Sequence, residues 1–139
     1  MSAAAARKLI ETYYAVFNSG DREAFLALLT EDVVHDINQG GREVGKAAFR
    51  RFMARMDRCY REQIKDIVVL SDEAGDHAAA EFTVHGAYIA TDEGLPAASG
   101  QSYVLPAGAF FTLCDGKVAR ISNYYNLPEW IRQVTGASA

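Results

Sequence analysis

A histidine and an aspartate stand side by side where a short apolar run ends, in the stretch EDVVHDINQGG (residues 31–41). An imidazole or a carboxylate at the end of a strand, just before a turn, can act as an acid or base at the mouth of a pocket. The pair His35 and Asp36 is therefore the first candidate for proton-transfer chemistry in this chain.

Strand geometry allows only one of these two side chains to line a pocket. Successive side chains of a strand point to opposite faces of its sheet, and a slip of one residue exchanges the faces. One register turns His35 and Ile37 inward, whereas the other turns Asp36 and Asn38 inward. The two preceding valines are equally apolar, so hydrophobicity alone does not decide between the registers.

Two further groups could hold the oxygen of a ligand. Tyr13 lies on the apolar face of the first predicted helix, where its hydroxyl could donate to a ligand or simply find one structural partner. In the stretch ISNYYN, Asn123 shares a strand face with Ile121 and Tyr125. A buried amide needs hydrogen-bond partners, so Asn123 either bridges structural elements or donates to a substrate carbonyl, with Tyr125 beside it.

Composition excludes several classes of function. The chain has 139 residues, a length that predicts one domain over residues 1–139, and its formal net charge is −4. Because phosphate binding needs a basic face, this charge excludes nucleic acid as a partner. No window approaches the roughly 18 apolar residues of a membrane span, and no secretory signal precedes the two distant cysteines. We therefore expect a cytoplasmic protein with reduced thiols and no membrane contact.

No pattern in the sequence predicts a cofactor or a metal. The three histidines are scattered, without the spacing of metal ligands. Glycine-rich phosphate loops and nucleophile motifs are also missing from the sequence. Any chemistry is expected to be proton transfer, which needs only a tuned carboxylate or imidazole and an oxygen donor in a dry site.

The order of elements predicts an α+β fold. Apolar spacing indicates helices over residues 4–17, 22–29 and 46–60, with the strand that carries His35 between the second and third, followed by a loop at GGREVGK. Four strands joined by short connections then form an antiparallel meander, and the Asp-Gly of CDGK predicts a tight hairpin. Pro106 implies an edge position or bulge in the third of these strands. LPEWIRQVTG predicts a short closing helix.

These helices and the strongly curved, mostly antiparallel sheet should enclose an apolar, cone-shaped cavity for a small-molecule ligand. Gly86 should leave extra room in it. Large apolar side chains on the inward faces are expected to line the cavity or to fill the core; they are Phe52, Met53, Met56, Phe82, Tyr88, Phe110 and Trp130.

Several motifs resemble one superfamily in order and spacing. They are YYAVFNSGDREAFLALLTEDVV, GREVGKAAFRRFM and DGKVARISNYYN, and together they cover residues 7–126. The chain thereby resembles the NTF2-like superfamily, especially its SnoaL-like and ketosteroid isomerase-related members. This resemblance implies a fold that hosts isomerases, cyclases, dehydratases, hydrolases and proteins with no chemistry.

The resemblance also locates the groups that carry isomerase chemistry in that superfamily. The oxygen-holding tyrosine falls on Tyr13, and the protonated acid falls on Gly108, which has no side chain. The base falls on Ile37, or on Asp36 if the strand has lost one residue. Because the chain is one residue shorter here than the isomerases, we predict that Asp36 occupies the functional end of the strand, with an inward His35 as the alternative.

We therefore expect a cofactor-independent isomerase, cyclase or dehydratase acting on a small apolar carbonyl or hydroxyl compound. True steroid isomerisation should be absent or very slow. The alternative is a non-catalytic ligand-binding or protein-interaction module, which the neutral Gly108 and Asn126 favour.

Two further expectations concern the surface. A homodimer should form through the outer face of the sheet, and the loop over residues 91–100 should be a mobile rim of the cavity. The outer-face residues expected in the dimer are Thr83, His85, Ala87 and Ile89.

Overall fold

The computed structural model describes residues 1–136 and shows four helices and six strands among them. In chain order these elements are α1 (Ala3–Ser19), α2 (Arg22–Leu26), β1 (Leu29–Ile37), β2 (Arg42–Val44), α3 (Lys46–Cys59), β3 (Tyr60–Ser71), β4 (His77–Tyr88), β5 (Gln101–Cys114), β6 (Lys117–Tyr125) and α4 (Leu127–Thr135).

The six strands form one mixed sheet in the order β2-β1-β6-β5-β4-β3. The last four strands pair antiparallel with their chain neighbours, as the predicted meander requires. β1 pairs antiparallel with β2 but parallel with β6, which brings the His35 strand beside the ISNYYN strand. The expected α+β fold, with N-terminal helices on a mostly antiparallel sheet, is confirmed.

Local sequence sets the limits of the first two helices. The Ser2 hydroxyl accepts a 3.0 Å hydrogen bond from the Ala5 amide and caps α1 at its start. Gly20 ends this helix in a left-handed conformation with φ of 82°, which glycine adopts without steric cost. The Asp21 carboxylate then accepts from the Ala24 amide at 3.0 Å and begins α2. The break between the helices predicted over residues 4–17 and 22–29 is confirmed.

Three predicted boundaries differ from the structure. α2 ends at Leu26, because β1 already begins at Leu29. The expected loop at GGREVGK contains the short strand β2, which forms a hairpin with β1 through a bond of 2.9 Å from the Ile37 amide to the Gly41 carbonyl. α3 ends at Cys59, and β3 follows at once.

Side-chain amides attach two helices to open strand edges. The Asn18 amide of α1 donates to the Ile64 carbonyl at 2.9 Å and accepts from the Ile64 amide at 2.8 Å. Gln133 of α4 bonds both backbone groups of Val104 in the same way, each at 2.9 Å. Each amide replaces a missing strand neighbour and fixes the position of its helix against the sheet.

The same open edge explains Pro106. β6 pairs with β5 only from Ala107 onward, so the preceding residues of β5 have a strand neighbour on the β4 side alone. Backbone groups of residues two apart point the same way, so the nitrogen of Pro106 faces the open side with that of Val104. Proline loses no ladder hydrogen bond there, and the predicted edge position is confirmed.

The core lies between α1 and the inner face of the sheet. α1 buries Ala6, Ile10, Tyr13 and Tyr14, which recur at the spacing of one helical face. The Tyr13 ring meets the Phe111 ring of β5 edge to face, with centroids 5.2 Å apart. Beyond this packed end, the helices and the sheet diverge around a cavity.

Of the four outer-face residues expected in the dimer, Ile89 is exposed, at 40%. Thr83, His85 and Ala87 do face outward but are half-buried. Four of the large exposed apolar side chains of this face lie on β3, β5 and β6, and we call them the outer-face patch: Val68, Leu70, Phe110 and Tyr124.

Candidate functional site

One cavity, with a volume of about 250 Å³, opens between the helices and the inner face of the sheet. Ligand pockets commonly measure roughly 300–1,000 Å³, so this space suits a small molecule of one or two rings. Its wall is mainly aromatic and aliphatic. The titratable side chains among the lining residues are Tyr13, Tyr14, His35, Arg55, Tyr60, Glu62, Asp92, Tyr103 and Tyr125, and Tyr124 of the outer-face patch borders the cavity.

The register of β1 turns His35 into the cavity and Asp36 away from it. His35 and Ile37 line the cavity, and His35 is only 2% exposed. The prediction that Asp36 occupies the functional end of the strand is therefore wrong. A tight turn follows the strand, in which the Gly40 amide donates to the Ile37 carbonyl at 2.8 Å.

Two arginines hold Asp36 on the outer face. Arg42 Nε lies 2.6 Å from Asp36 Oδ1, and Arg120 Nε lies 2.8 Å from Oδ2. The hydrogen bond from Arg42 is the largest cause that lowers the pKa of this carboxyl, and the Arg120 bond adds to it. Asp36 thus ties β1 to β2 and β6 as a permanent carboxylate, which is a structural role.

His35 sits among aromatic rings. Its ring centroid lies 4.6 Å from that of Phe49 and 4.5 Å from that of Phe52, both on α3. Nδ1 is 3.7 Å from Oε1 of Glu43 on β2, which is too long for a hydrogen bond. Burial lowers the pKa of His35, and Glu43 and Asp36 partly oppose that shift. The imidazole is therefore neutral near neutral pH and can accept a proton.

Glu62 is a cavity carboxyl that the sequence analysis missed. It lines the cavity from β3 and accepts a hydrogen bond from the Tyr103 hydroxyl of β5 at 2.5 Å. Burial raises the pKa of this carboxyl. The stretch QIKDIVVLS, which predicts this strand, begins at Gln63 and leaves Glu62 out. A strand read from Tyr60 would have shown a charge between Tyr60 and Ile64 on an otherwise apolar face.

The loop after β4 closes one side of the cavity and is anchored by Asp92. This carboxylate is 3% exposed and receives two bonds from Arg55, at 2.8 and 3.0 Å, and one from the Tyr60 hydroxyl at 2.7 Å. The Tyr88 hydroxyl donates to the Pro96 carbonyl at 2.6 Å and accepts from the Asp92 amide at 2.9 Å. These bonds anchor the rim at Asp92 and Pro96, and the mobility of the remaining residues of the loop stays a prediction.

The other predicted oxygen-holding groups do line the cavity. Tyr13 lies at its closed end, where burial raises the pKa of the phenol. The hydroxyl of its neighbour Tyr14 is buried without a hydrogen-bond partner among the described residues. Asn123 and Tyr125 project from β6, as alternation predicted. The Asn38 amide donates to Ser122 Oγ at 2.9 Å and so fixes the end of β1 against β6.

Most of the predicted apolar lining is also in place. The cavity-lining residues of that set are Phe52, Met53, Met56, Phe82 and Trp130. Tyr88 does not line the cavity and fills the core instead, fully buried behind the wall and stacked on Tyr60 at 5.4 Å. Phe110 is also wrong, because it is 54% exposed on the outer face.

The surroundings of Gly108 and Gly86 differ from those that the sequence suggested. β5 alternates regularly from Tyr103 to Leu113, so Gly108 lies on the outer face of the sheet. The inward residues beside it are Ala107 and Ala109, so this part of β5 offers the cavity no side-chain donor. Gly86 makes room for a protein ring instead of a ligand, because a Cβ there would lie 2.3 Å from Cζ of Tyr103.

Within residues 1–136, His, Cys, Asp and Glu side chains nowhere gather in a group of three able to hold a metal ion. No helix in the same range is long and apolar enough to cross a membrane. Cys59 is buried and Cys114 exposed, and both are free thiols.

Comparisons with known proteins place this geometry in context. The model of the SnoaL-like domain family matches residues 10–121. A candidate polyketide cyclase from Pseudomonas putida KT2440 is 64% identical, with a TM-score of 0.92 over 93% of this chain and 97% of that one.

A second candidate polyketide cyclase, from Xanthomonas campestris pv. campestris, is 56% identical, with a TM-score of 0.92 over 95% of this chain and 98% of that one. An LEH-like epoxide hydrolase of M. tuberculosis is 16% identical, with a TM-score of 0.77 over 96% of this chain and 92% of that one, and shares the fold alone. No curated protein matches the sequence.

Proposed function

Because the chain belongs to the SnoaL-like domain family of NTF2-like proteins, we propose that its cavity performs acid–base chemistry without a cofactor on a small, largely apolar compound. The reaction is of the isomerase, cyclase or dehydratase type, and the substrate carries a carbonyl or hydroxyl oxygen. The observation that supports this most directly is a neutral imidazole, His35, inside an aromatic cavity.

His35 acts as the base. Its Nδ1 faces Glu43, so Nε2 is the nitrogen available to remove a proton from carbon next to the substrate carbonyl. The C–H electron pair forms a C=C bond, and the carbonyl π pair moves to oxygen, giving an enolate. The Glu43 carboxylate at 3.7 Å stabilises the imidazolium that forms, as a carboxylate behind a catalytic histidine does in other enzymes.

The enolate oxygen needs donors in the same cavity. The Asn123 amide and the Tyr13 hydroxyl both line it, and each can donate to an oxygen atom. Such donors are effective in a site with little water, because the low local dielectric strengthens every charge interaction. Tyr125 completes this group at the β6 side.

The two most similar solved structures reported above are candidate polyketide cyclases, and we propose that the natural substrate is of the same class. A polyketide chain alternates carbonyl and methylene groups, so its C–H bonds beside carbonyls are acidic enough for an imidazole base. An enolate at such a carbon can close a ring on a second carbonyl. A cavity of about 250 Å³ limits the substrate to a short chain or a small ring system.

The test uses 2-tetralone, a two-ring ketone, in D₂O. We expect the protein to accelerate deuterium exchange at the carbons beside the carbonyl, measured by proton NMR. His35→Gln should lower this rate by about 100-fold, the usual contribution of a general base. His85→Gln, on the outer face, is the matched control and should exchange at the unaltered rate.

Two results would count against the proposal. Equal rates for wild type and His35→Gln would remove His35 as the base. Binding of 2-tetralone and other small ketones without any exchange would instead support a non-catalytic ligand-binding module.

We also propose that residues 1–139 form one domain of a cytoplasmic homodimer. Free thiols at Cys59 and Cys114 support the reducing location, and the outer-face patch supports self-association.

A further inference from the structure

Glu62, Gly86 and Tyr103 lie in one line across three strands. Glu62 of β3 is opposite Gly86 of β4, and Gly86 is opposite Tyr103 of β5. The Tyr103 ring crosses over Gly86 so closely that a Cβ would lie 2.3 Å from Cζ and 2.5 Å from the hydroxyl oxygen. The absence of a side chain at Gly86 therefore allows the Tyr103 hydroxyl to reach Glu62.

No ion pair accounts for a carboxyl at this place. Among residues 1–136, no cationic side chain lies within ion-pair distance of Glu62. Arg22 acts on it only at longer range, and its guanidinium is bound to Asp57 at 2.6 Å. A carboxyl in an apolar cavity with one neutral donor is costly for stability, so a purely structural role does not explain it.

Glu62 and His35 line the same cavity from different parts of the sheet. β3 is one edge of the sheet, and β1 is separated from it by three strands. The helices span the space between them, and both side chains reach the cavity. A substrate held in the cavity thus has a base on one wall and a carboxyl on another.

We propose that Glu62 is the general acid of this site and donates its proton to the substrate oxygen. Tyr103 is its positioning residue, and Gly86 leaves the space that the Tyr103 ring occupies. This inference rests on the function proposed above and assigns the acid to the same reaction. It implies a substrate that can place its acidic C–H against His35 and, at the same time, its carbonyl oxygen against Glu62.

The step balances without a further reactant. His35 takes the proton from carbon, the C–H pair forms the C=C bond, and the carbonyl oxygen takes the proton of Glu62 to give an enol. Glu62 is left as a carboxylate, to which the Tyr103 hydroxyl donates. Where a second C=C bond is conjugated with the enol, the O–H pair re-forms the carbonyl as Glu62 recovers its proton, and the enol C=C pair moves one bond along. The second C=C pair then takes the proton of His35 at its far carbon, which completes an isomerisation.

The electrostatics of both walls favour the neutral forms that this step needs. Burial raises the pKa of Glu62, whereas the Tyr103 bond and Arg22 lower it. Burial lowers the pKa of His35. The other ionisable group that senses Glu62 is Tyr125 of β6, a phenol whose own pKa is raised by burial. The shifts bring a carboxylic acid and a free imidazole toward the same pH range.

The first test does not need activity. In protein labelled with ¹³C at the glutamate carboxyl, Tyr103→Phe removes the hydrogen bond that stabilises the carboxylate, so the Glu62 titration should move to higher pH. Gly86→Ala should move it in the same direction by displacing Tyr103, and the double variant should add little. Glu81→Gln, on the outer face, is the control. An unmoved titration in both variants would overturn the positioning role.

The second test separates this inference from the proposed function. 2-Tetralone can only accept hydrogen bonds, so its affinity should fall as Glu62 loses its proton, whereas Glu62→Gln, whose amide always donates, should show no such fall. Trp130, the single tryptophan, lines the cavity and reports binding by fluorescence. Wild type and Glu62→Gln with the same pH dependence would overturn the role of Glu62, even if exchange is catalysed.

If wild type accelerates exchange, Glu62→Gln should lower the exchange rate by about 100-fold. At pH values below the titration of Glu62, the same variant should change the affinity for 2-tetralone by less than threefold. It should also abolish the decline of the rate at high pH. If wild type does not accelerate exchange, the proposed function fails, and the affinity profile alone still decides whether Glu62 donates to the ligand oxygen.

Discussion

His35 Nδ1 lies 3.7 Å from Oε1 of Glu43, directly across the β1–β2 pair, and both atoms are buried without a hydrogen-bond partner among the described residues. Burial lowers the pKa of His35, and the negative charge of Glu43 limits that fall. The pair is therefore poised to form a charge-assisted hydrogen bond once the imidazole takes up a proton.

Glu43→Gln should lower the pKa of His35 further, because the change removes a charge that favours the imidazolium. The shift is measurable by NMR titration of the imidazole protons, with His77 and His85 as internal references in the same spectra. Glu81→Gln should leave His35 unaffected. An unchanged His35 titration in Glu43→Gln would show that Glu43 does not stabilise the charged form.

The same histidine should make the fold sensitive to acid. The unfolded value for His35 is 6.5 and the folded value is lower, so below 6.5 the unfolded chain binds a proton that the folded chain does not. The stability that depends on neutral His35 is complete above that pH and is lost as pH falls toward the folded value.

His35→Gln should therefore flatten the decline in the free energy of unfolding as the pH falls below 6.5. The comparison uses urea unfolding at several pH values, with His85→Gln as the matched control. Because Glu62 and the other carboxyls are retained in both variants, their titration cancels in the difference. A slope in His35→Gln as steep as in wild type would contradict the assignment of a buried, neutral imidazole.

Local sequence signals were sufficient for most of the fold. Asp115 and Gly116 form the predicted hairpin turn, with φ values of 51° and 76°. Asn123 and Tyr125 face the cavity because strand alternation is a local property. Apolar spacing likewise predicted α1, and the stretch LPEWIRQVTG predicted α4.

The sequence did not predict which side chains of β1 point into the cavity, because this depends on residues far along the chain. Val33 and Val34 fit either register, and the choice is fixed by Arg42 and Arg120, which hold Asp36 outside. The Glu62 site was missed for a similar reason. It exists only because Tyr103 reaches across Gly86, and no spacing within one segment signals that contact.

Asp92 should be the main anchor of the cavity rim. Asp92→Asn removes the charge that binds Arg55 in two places and leaves the Tyr60 hydroxyl with a weaker acceptor. Hydrogen bonds to charged groups contribute about 1.5–3 kcal/mol each, and half of the Arg55 side chain is exposed, so we expect a loss near the lower figure.

Urea unfolding measures that loss, and hydrogen exchange should show faster exchange of the backbone amides in residues 91–100. Glu93→Gln changes an exposed neighbour and should leave both measurements unaltered. Loss of stability without faster exchange in the loop would mean that Asp92 supports α3 more than the rim.

The outer-face patch should be the centre of a homodimer. Phe110 and Tyr124 meet edge to face at 5.6 Å, yet they are 54% and 48% exposed, beside Leu70 at 64% and Val68 at 53%. Large apolar side chains grouped on one face mark an interaction surface. A two-fold axis through the patch would place each Phe110 against the partner's patch, so one substitution removes two contacts.

Phe110→Glu should therefore weaken the dimer by about 100-fold or more, since burial of each phenylalanine contributes about 1.5 kcal/mol or more. Sedimentation at micromolar concentration measures the dimer fraction. Val44→Glu adds the same charge at an exposed valine of β2, the edge strand at the other end of the sheet from β3, and should leave the dimer intact. A monomeric wild type would remove the dimer altogether, and equal weakening by both variants would show that net charge, not the patch, controls association.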